Sequence, residues 1–534
     1  MNKLLENFTL LYPNPEICEK DRMNVDFNNN PEMLELLGLN STFRISRAED
    51  KSAILRYVTC DVETINYRSD IFVDILKNKE LYEILRQAHE YLTDIDDVMI
   101  RAKTMHKESE LRDSLFVINE IEMYIKLVDY LAENGKKLER PSESKGLSDL
   151  FAYIAEIHES EEYKNLVKNV ELLDFRINNM KSVTIGANLD NQLRITSAGV
   201  LSVNNRYFTS GSLTDMLLRM DFHKTEYTTI APITANQKDA QAQTFNYVFL
   251  ETLNNLYGSS IKKWRPIVNN FMNNNIKVLI KLVPEIKFIL KCADIMFKLE
   301  EIGVGLCKPE LFSREEKIFD IKGLYNASLA ISLQSGDLIL NDITFDENGM
   351  IYILTGPNRG GKSIITCAVG IAQLFCQLGM LIPAQSAKIS PVDCIYTHFA
   401  GNYNTLEKGK LGEECERLNV ILSKVTKYSL VLLDETLSST GSFEGSYIAA
   451  EVVEGLSFIG CRCIYSTHMH ELAALVDEIN ISSKNKVDTL VAGIEDGERS
   501  FKIKREKPDG KSYAKDIAQK YGISLKRIKE QAEL

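Results

Sequence analysis

Gly356-Pro-Asn-Arg-Gly-Gly-Lys-Ser363 follows directly on the apolar run Met350-Ile-Tyr-Ile-Leu-Thr355. An apolar, β-branched run of that length reads as a buried strand, and the glycines behind it let the backbone turn its N–H groups inward around a phosphate chain. Ile364 to Gln377 continues with helical character, so those N–H groups and a helix N-terminus face the same anion. In this arrangement Gly356, Pro357, Asn358, Gly360 and Gly361 shape the cradle, Lys362 reaches the β- and γ-phosphates, and Ser363 ligates Mg²⁺. Binding alone is not hydrolysis, which also needs a metal carboxylate and a positioned water. Both residue types close the next strong apolar run, Leu430-Val-Leu-Leu-Asp434-Glu435. Asp434 is expected to hold the Mg²⁺ shell, and Glu435 to polarise the attacking water. A third run ends in Ser466-Thr467-His468, which puts a histidine at a strand end where the γ-phosphate can be sensed. ATP is the expected substrate and Mg²⁺ the expected cofactor.

These residues need a sheet whose strands deliver them to one edge. From about Leu311 onward the texture is α/β, with strands expected over Leu338–Phe345, Met350–Leu354, Tyr428–Leu433 and Cys461–Ser466. Upstream the pattern is helical. Ile71, Ile75, Leu76, Leu81, Ile84 and Leu85, and then Ile118, Ile121, Tyr124, Ile125 and Val128, recur at helical spacing. A break at Arg140–Gly146 precedes a further helix over about Leu147–Met180. Two short strands follow within 182–208, and helical patterning returns from Asp239 to Ile302, interrupted near Pro266 and Pro284. The expected architecture is multidomain. An N-terminal segment (1–50) of weak periodicity leads into a long α-helical lever or core domain (51–310) with a small β insertion near 182–208. A C-terminal α/β P-loop ATPase domain of the ABC class (311–534) follows.

Composition narrows the function classes. A chain of 534 residues with 44% hydrophobic and 26% charged residues is an ordinary globular protein of several domains. No apolar stretch approaches the roughly 20 residues that span a bilayer, and Met1–Phe8 lacks the apolar region of a secretory leader. The ten cysteines are scattered without CxxC or zinc spacing, so Cys461 and Cys463 read as buried thiols and the compartment as reducing and cytoplasmic. A net charge of −12 argues against a protein that coats nucleic acid with its whole surface. Lys262, Lys263, Arg265, Lys277, Lys281, Lys287 and Lys291 nevertheless fall in an acid-poor stretch. A solvated helix surface is the readier explanation, and a DNA-facing patch the alternative.

Thr355-Gly-Pro-Asn-Arg-Gly-Gly-Lys-Ser363 resembles the phosphate loop of the MutS family of DNA mismatch-repair ATPases. Ile382-Pro-Ala384, the block Leu430–Gly445, Ser466-Thr-His-Met-His-Glu-Leu472, Asn341-Asp342, and Lys511-Ser-Tyr513 with Ala518 and Gly522 are similar to the same family's pattern. The resemblance implies an ABC-class site sandwiched between two subunits, hence a homodimer, and a helical clamp on DNA. Thr59-Cys-Asp61-Val-Glu-Thr64 and the helices after it resemble the core and lever. Two blocks depart from the pattern. Thr436-Leu-Ser-Ser-Thr440 stands where the family has Gly-Arg-Gly before its threonine, and Leu411 stands at the signature serine that reaches ATP across the dimer. Arg359 replaces an apolar residue in the loop itself. With about 300 residues ahead of the ATPase and no Phe-x-Glu wedge, the resemblance is to a short form without mismatch-probing and connector domains, and no Smr-like tail follows. The expected function is an ATP-hydrolysing dimeric clamp in mismatch repair or recombination, contacting duplex or branched DNA mainly through its backbone and shape. The alternative is an ATP-switched scaffold acting on a protein partner without gripping DNA.

Overall fold

The runs richest in Ile, Leu and Val become the innermost strands. The computed structural model describes residues 8–14, 16–17, 30–104, 110–138, 142–178, 182–192, 195–206, 209–210, 228–229, 276–335, 338–357, 360–399, 409–495 and 498–508. They divide into two compact units, one of residues 1–8, 83–141 and 148–286, the other of residues 9–82, 142–147 and 287–534. These units cut across boundaries drawn at 50 and 310. Among the described residues, no helix is long and apolar enough to cross a membrane.

The second unit is built on a six-stranded sheet. Its strands stand in the order Ile395–Phe399, Leu430–Asp434, Arg462–Ser466, Ile351–Thr355, Val487–Glu495 and Glu498–Arg505. The first five run parallel, and the last is antiparallel to its neighbour. Every residue of Leu430–Asp434, Arg462–Ser466 and Ile351–Thr355 is buried, as central parallel strands covered on both faces must be. A smaller four-stranded sheet, with Phe319–Leu324, Asn341–Phe345 and Ser386–Ile389, lies in the same unit. The expected strand at Leu338–Phe345 is shorter than its apolar run. It begins at Asn341, whose side chain accepts the Ile503 N–H at 2.7 Å, while Asp342 accepts the Gly323 N–H at 2.9 Å.

The N-terminal segment is part of this unit's core. Leu10, Leu11, Met33, Leu34 and Leu39 have no exposed surface. Short helices at Glu32–Leu36, Leu39–Thr42 and Ala48–Leu55 are too brief to show a clear helical period, which is why the segment reads as irregular. Asn30 donates to the Ile395 carbonyl at 2.9 Å, on the edge strand of the large sheet. Arg68 is fully buried and donates to the Leu11 and Tyr57 carbonyls, pinning 9–12 and 57 to the helix Val62–Lys77.

The other unit is helical. Leu85, Ala88, Leu92 and Ile95 of Lys79–Thr104, Ile121, Tyr124, Leu127 and Val128 of Glu110–Lys137, and Ile154 of Lys145–Glu159 are buried at helical spacing. The single helix expected over 147–180 is two, Lys145–Glu159 and Glu161–Asn178. Ser160 makes the break. Its Oγ donates to the Ile157 carbonyl at 2.7 Å and accepts the Tyr163 N–H at 3.1 Å, so one residue ends the first helix and caps the second. The β insertion is an antiparallel hairpin of Ser182–Leu189 and Ile195–Asn204.

The interruption expected near Pro284 is present, since one helix ends at Lys281 and the next begins at Val283 with Pro284 behind it. That proline occupies the first turn of Val283–Ile302, where a missing N–H is tolerated. Lys277 and Lys281 fall in the helical unit, and Lys287 and Lys291 in the sheet unit. Burial lowers the pKa of Lys291, which lies beside Asp50. Lys262, Lys263 and Arg265 lie outside the described residues, as do Asn358, Arg359, Lys511–Tyr513, Ala518 and Gly522.

Candidate nucleotide site

Ile351–Thr355 delivers the chain to the loop, and Lys362–Leu378 carries it away as a helix. Gly356 has φ 142°, and a Cβ there would stand 2.7 Å from that of Ala492; no other residue fits. Gly361 caps the helix at φ 91°. The helix therefore opens with its free N–H groups toward the loop, the geometry of an anion seat. Gly360 N–H bonds to the Pro357 carbonyl at 3.0 Å, closing the turn.

Lys362 is buried at 4% exposure. Its Nζ donates to the carbonyls of Gly356 at 3.0 Å and Pro357 at 3.3 Å, and lies 3.8 Å from Glu435 Oε1. Burial lowers its pKa, against the opposing pull of Glu435 and Asp434. Thr366, one turn on, donates to the Lys362 carbonyl and to Ser466 Oγ at 3.3 Å, tying the loop helix to the neighbouring strand.

The strand Leu430–Asp434 places Asp434 in register with Ser466. Asp434 is 7% exposed, and burial raises its pKa, partly offset by hydrogen bonds from Ser363 and Ser466. Its Oδ1 is buried with no hydrogen-bond partner among the described residues. A buried, unsatisfied carboxylate oxygen beside a serine hydroxyl is a donor set that suits a hard divalent cation completed by phosphate oxygens and water. The residues present thus fit Mg²⁺.

Glu435 leaves the strand with φ 52°, a left-handed backbone on a non-glycine residue. Its N–H bonds to the Ser466 carbonyl at 2.8 Å, and its Oε2 accepts from Nδ1 of His468. The structure thus brings Lys362, Ser363, Asp434, Glu435 and His468 together at the C-terminal edge of adjacent strands, with Gly356, Pro357, Gly360 and Gly361 forming the loop.

Several neighbours escaped the sequence reading. Phe501, 40% exposed, lies against the loop, 3.4 Å from where a Gly361 Cβ would be. Asn341 Nδ2 donates to its carbonyl at 3.3 Å. His398 has no exposed surface, and its Nδ1 pairs with Thr436 Oγ1 at 3.0 Å. Burial, aided by Arg417, lowers the His398 pKa to about 4. Tyr465 donates to the Thr436 carbonyl at 2.8 Å. Phe501 and His398 belong to no local motif, whereas Asn341 and Tyr465 lie in runs the sequence singles out but make their contacts with distant residues.

Comparison with known proteins yields two family matches. Residues 352–533 match the family model for MutS domain V, and residues 60–302 match that for the MutS2 N-terminal domain. A protein of Microcystis aeruginosa named DNA mismatch repair protein MutS is 38% identical over 206 residues, which cover 36% of this chain and 23% of that protein. Its namesake from Ruminiclostridium cellulolyticum is 34% identical over 250 residues, covering 45% and 28%. That from Chlorobium phaeovibrioides is 30% identical over 243 residues, covering 45% and 27%. The chain thus matches only about a quarter of the length of these curated relatives.

Proposed function

The chain belongs to the MutS family, and on that premise we propose that it is an Mg²⁺-dependent ATPase that closes as a homodimeric clamp on DNA. Residues 311–534, with the N-terminal core segment built onto them, carry the ATPase in this reading, and helices within 51–310 act as levers. The observation that carries it is the unsatisfied Asp434 Oδ1, buried beside Ser363 at the mouth of a glycine cradle.

The cradle's N–H groups and Lys362 bind the phosphate chain. Lys362 is already desolvated, so exchanging the Gly356 and Pro357 carbonyls for phosphate oxygens gives its charge a full partner. Ser363 and Asp434 hold Mg²⁺, which when bound neutralises charge on the phosphate oxygens. Glu435, steadied by His468, orients the attacking water and accepts its proton. Phe501 offers an aromatic face beside the loop to the nucleobase.

DNA contact runs through phosphates and duplex shape, so it weakens steeply with salt. ATP turnover measured with duplex and branched DNA, from low to high salt, tests the clamp. Stimulation that fades as salt rises supports it. Turnover indifferent to every DNA form favours the scaffold reading, to which the net charge of −12 lends weight.

A further inference from the structure

Glu435 and Leu437 both take left-handed backbone, at φ 52° and φ 63°, although neither is a glycine. Leu437 stands in the block where the family pattern carries glycines, so this turn cannot be left to a missing Cβ. Such backbone persists only where surrounding contacts over-determine it. Those contacts converge on Thr436, the residue between the two. Thr436 has no exposed surface, and neither have its partners His398 and Tyr465. Its Oγ1 lies 3.0 Å from His398 Nδ1 and donates to the His398 carbonyl at 3.2 Å. Its own carbonyl accepts the Tyr465 hydroxyl at 2.8 Å.

The partners come from both sides. His398 lies on Ile395–Phe399 and Tyr465 on Arg462–Ser466, the two strands that flank Leu430–Asp434 in the sheet. The side chain and the main chain of Thr436 are thus tied to different strands, which fixes both its position and its orientation. A threonine hydroxyl has one proton. Here it goes to the His398 carbonyl, so Nδ1 must supply the proton of the other bond. Burial lowers the His398 pKa to about 4, which keeps the ring neutral. Nε2 then carries a lone pair and no proton, and it is the ring nitrogen without a hydrogen-bond partner among the described residues. No buried N–H is stranded, and the ring's one proton is given to Thr436.

Glu435 is therefore bracketed, with its N–H on the Ser466 carbonyl at 2.8 Å and the next residue held in this clamp. We propose that His398 and Tyr465 are positioning residues for hydrolysis. By gripping Thr436 from the two flanking strands they hold the backbone that aims Glu435. The proposal rests on Glu435 being the water-positioning base.

The test uses the full chain and measures single-turnover hydrolysis of Mg-ATP beside the affinity for a fluorescent ATP analogue. Thr436→Val keeps the shape and loses both Oγ1 bonds. It should lower the rate about tenfold or more with nucleotide affinity within about twofold. Thr436→Ser, which keeps the hydroxyl, should recover most of the rate. His398→Leu should fall as Thr436→Val does, and His398→Asn, whose amide N–H can replace that of Nδ1, should recover part of the loss. Tyr465→Phe should show a smaller fall and carries the test if Thr436→Val does not fold. In the Glu435→Gln background Thr436→Val should cost less than about twofold, because a residue that acts through Glu435 has nothing left to aim. Three outcomes overturn the proposal: a parent-like rate in Thr436→Val (or in Tyr465→Phe, should the first not fold), affinity falling in step with rate, or an equal loss in both backgrounds. Glu435→Gln alone separates the layers. If it turns over like the parent, the assignment of Glu435 itself fails. If it is impaired while Thr436→Val and Tyr465→Phe turn over like the parent, only the clamp fails.

Discussion

Two loops meet at the candidate nucleotide site, and they reach their shapes by opposite means. The proposed phosphate loop takes its positive-φ turns on glycines, Gly356 and Gly361, where no Cβ opposes them. The loop after Asp434 takes them on Glu435 and Leu437, where each is strained. The first can therefore be shaped by its own residues. The second depends on groups from elsewhere: Ser466, Tyr465 and His398. A loop that must offer backbone N–H groups can be local, whereas one that must aim a side chain needs external anchors.

The largest test of the contrast removes the aimed side chain. Glu435→Gln should keep ATP binding and lower turnover by about 100- to 10,000-fold, read by steady-state phosphate release beside a binding titration. Full activity would remove Glu435 from the mechanism. Next, Lys362→Ala breaks the other loop and should weaken nucleotide binding by about 10- to 100-fold, read with the same titration. The two variants should thus separate turnover from affinity.

A smaller effect is expected from the anchors. Thr436→Val leaves His398 Nδ1 without its partner and should lower unfolding stability by about 1–2 kcal/mol in urea denaturation, with a lower kcat. A loss of stability with kcat unchanged would show that this anchor does not aim Glu435.

Asp434 gives a prediction of direction. Burial raises its pKa, so the folded state holds the proton more tightly than the unfolded chain. Its favourable contribution is fully present below the unfolded value and lost as pH rises through the folded pKa. At neutral pH without Mg²⁺, Asp434→Asn should therefore raise Tm, while the protection given by Mg-ATP disappears. An unchanged Tm with protection intact would remove the metal role.

The smallest effect is in the acid limb. His398 is held at about 4, below its ordinary 6.5, chiefly by burial. Its contribution is present above pH 6.5 and lost as pH falls from there toward 4. His398→Gln should flatten that part of a Tm-against-pH curve relative to the parent.

How much was legible follows the same contrast. Gly356–Ser363, Asp434-Glu435 and His468 were readable because each group is contiguous and closes an apolar run. The structure places the described ones at one sheet edge. His398 was not readable. It reaches Thr436 only because Ile395–Phe399 pairs with Leu430–Asp434, matching His398 to Leu433. The burial of Leu10, Leu11 and Arg68 was hidden because Leu10 and Leu11 belong to no helix or strand with a period, and Arg68 is buried by the carbonyls of Leu11 and Tyr57 from outside its own helix.

By itself, the sequence determined the strand-loop-helix unit, the acids at the end of the Leu430–Asp434 run and the family resemblance, because these depend on backbone preferences and hydrophobic runs acting over a few residues. The tertiary structure alone decided that the N-terminal segment joins the sheet unit, that Asp434 carries an unsatisfied buried oxygen, and that a strained loop is held by His398 and Tyr465. Burial and strain are set by what packs against a residue, and those partners come from distant parts of the chain.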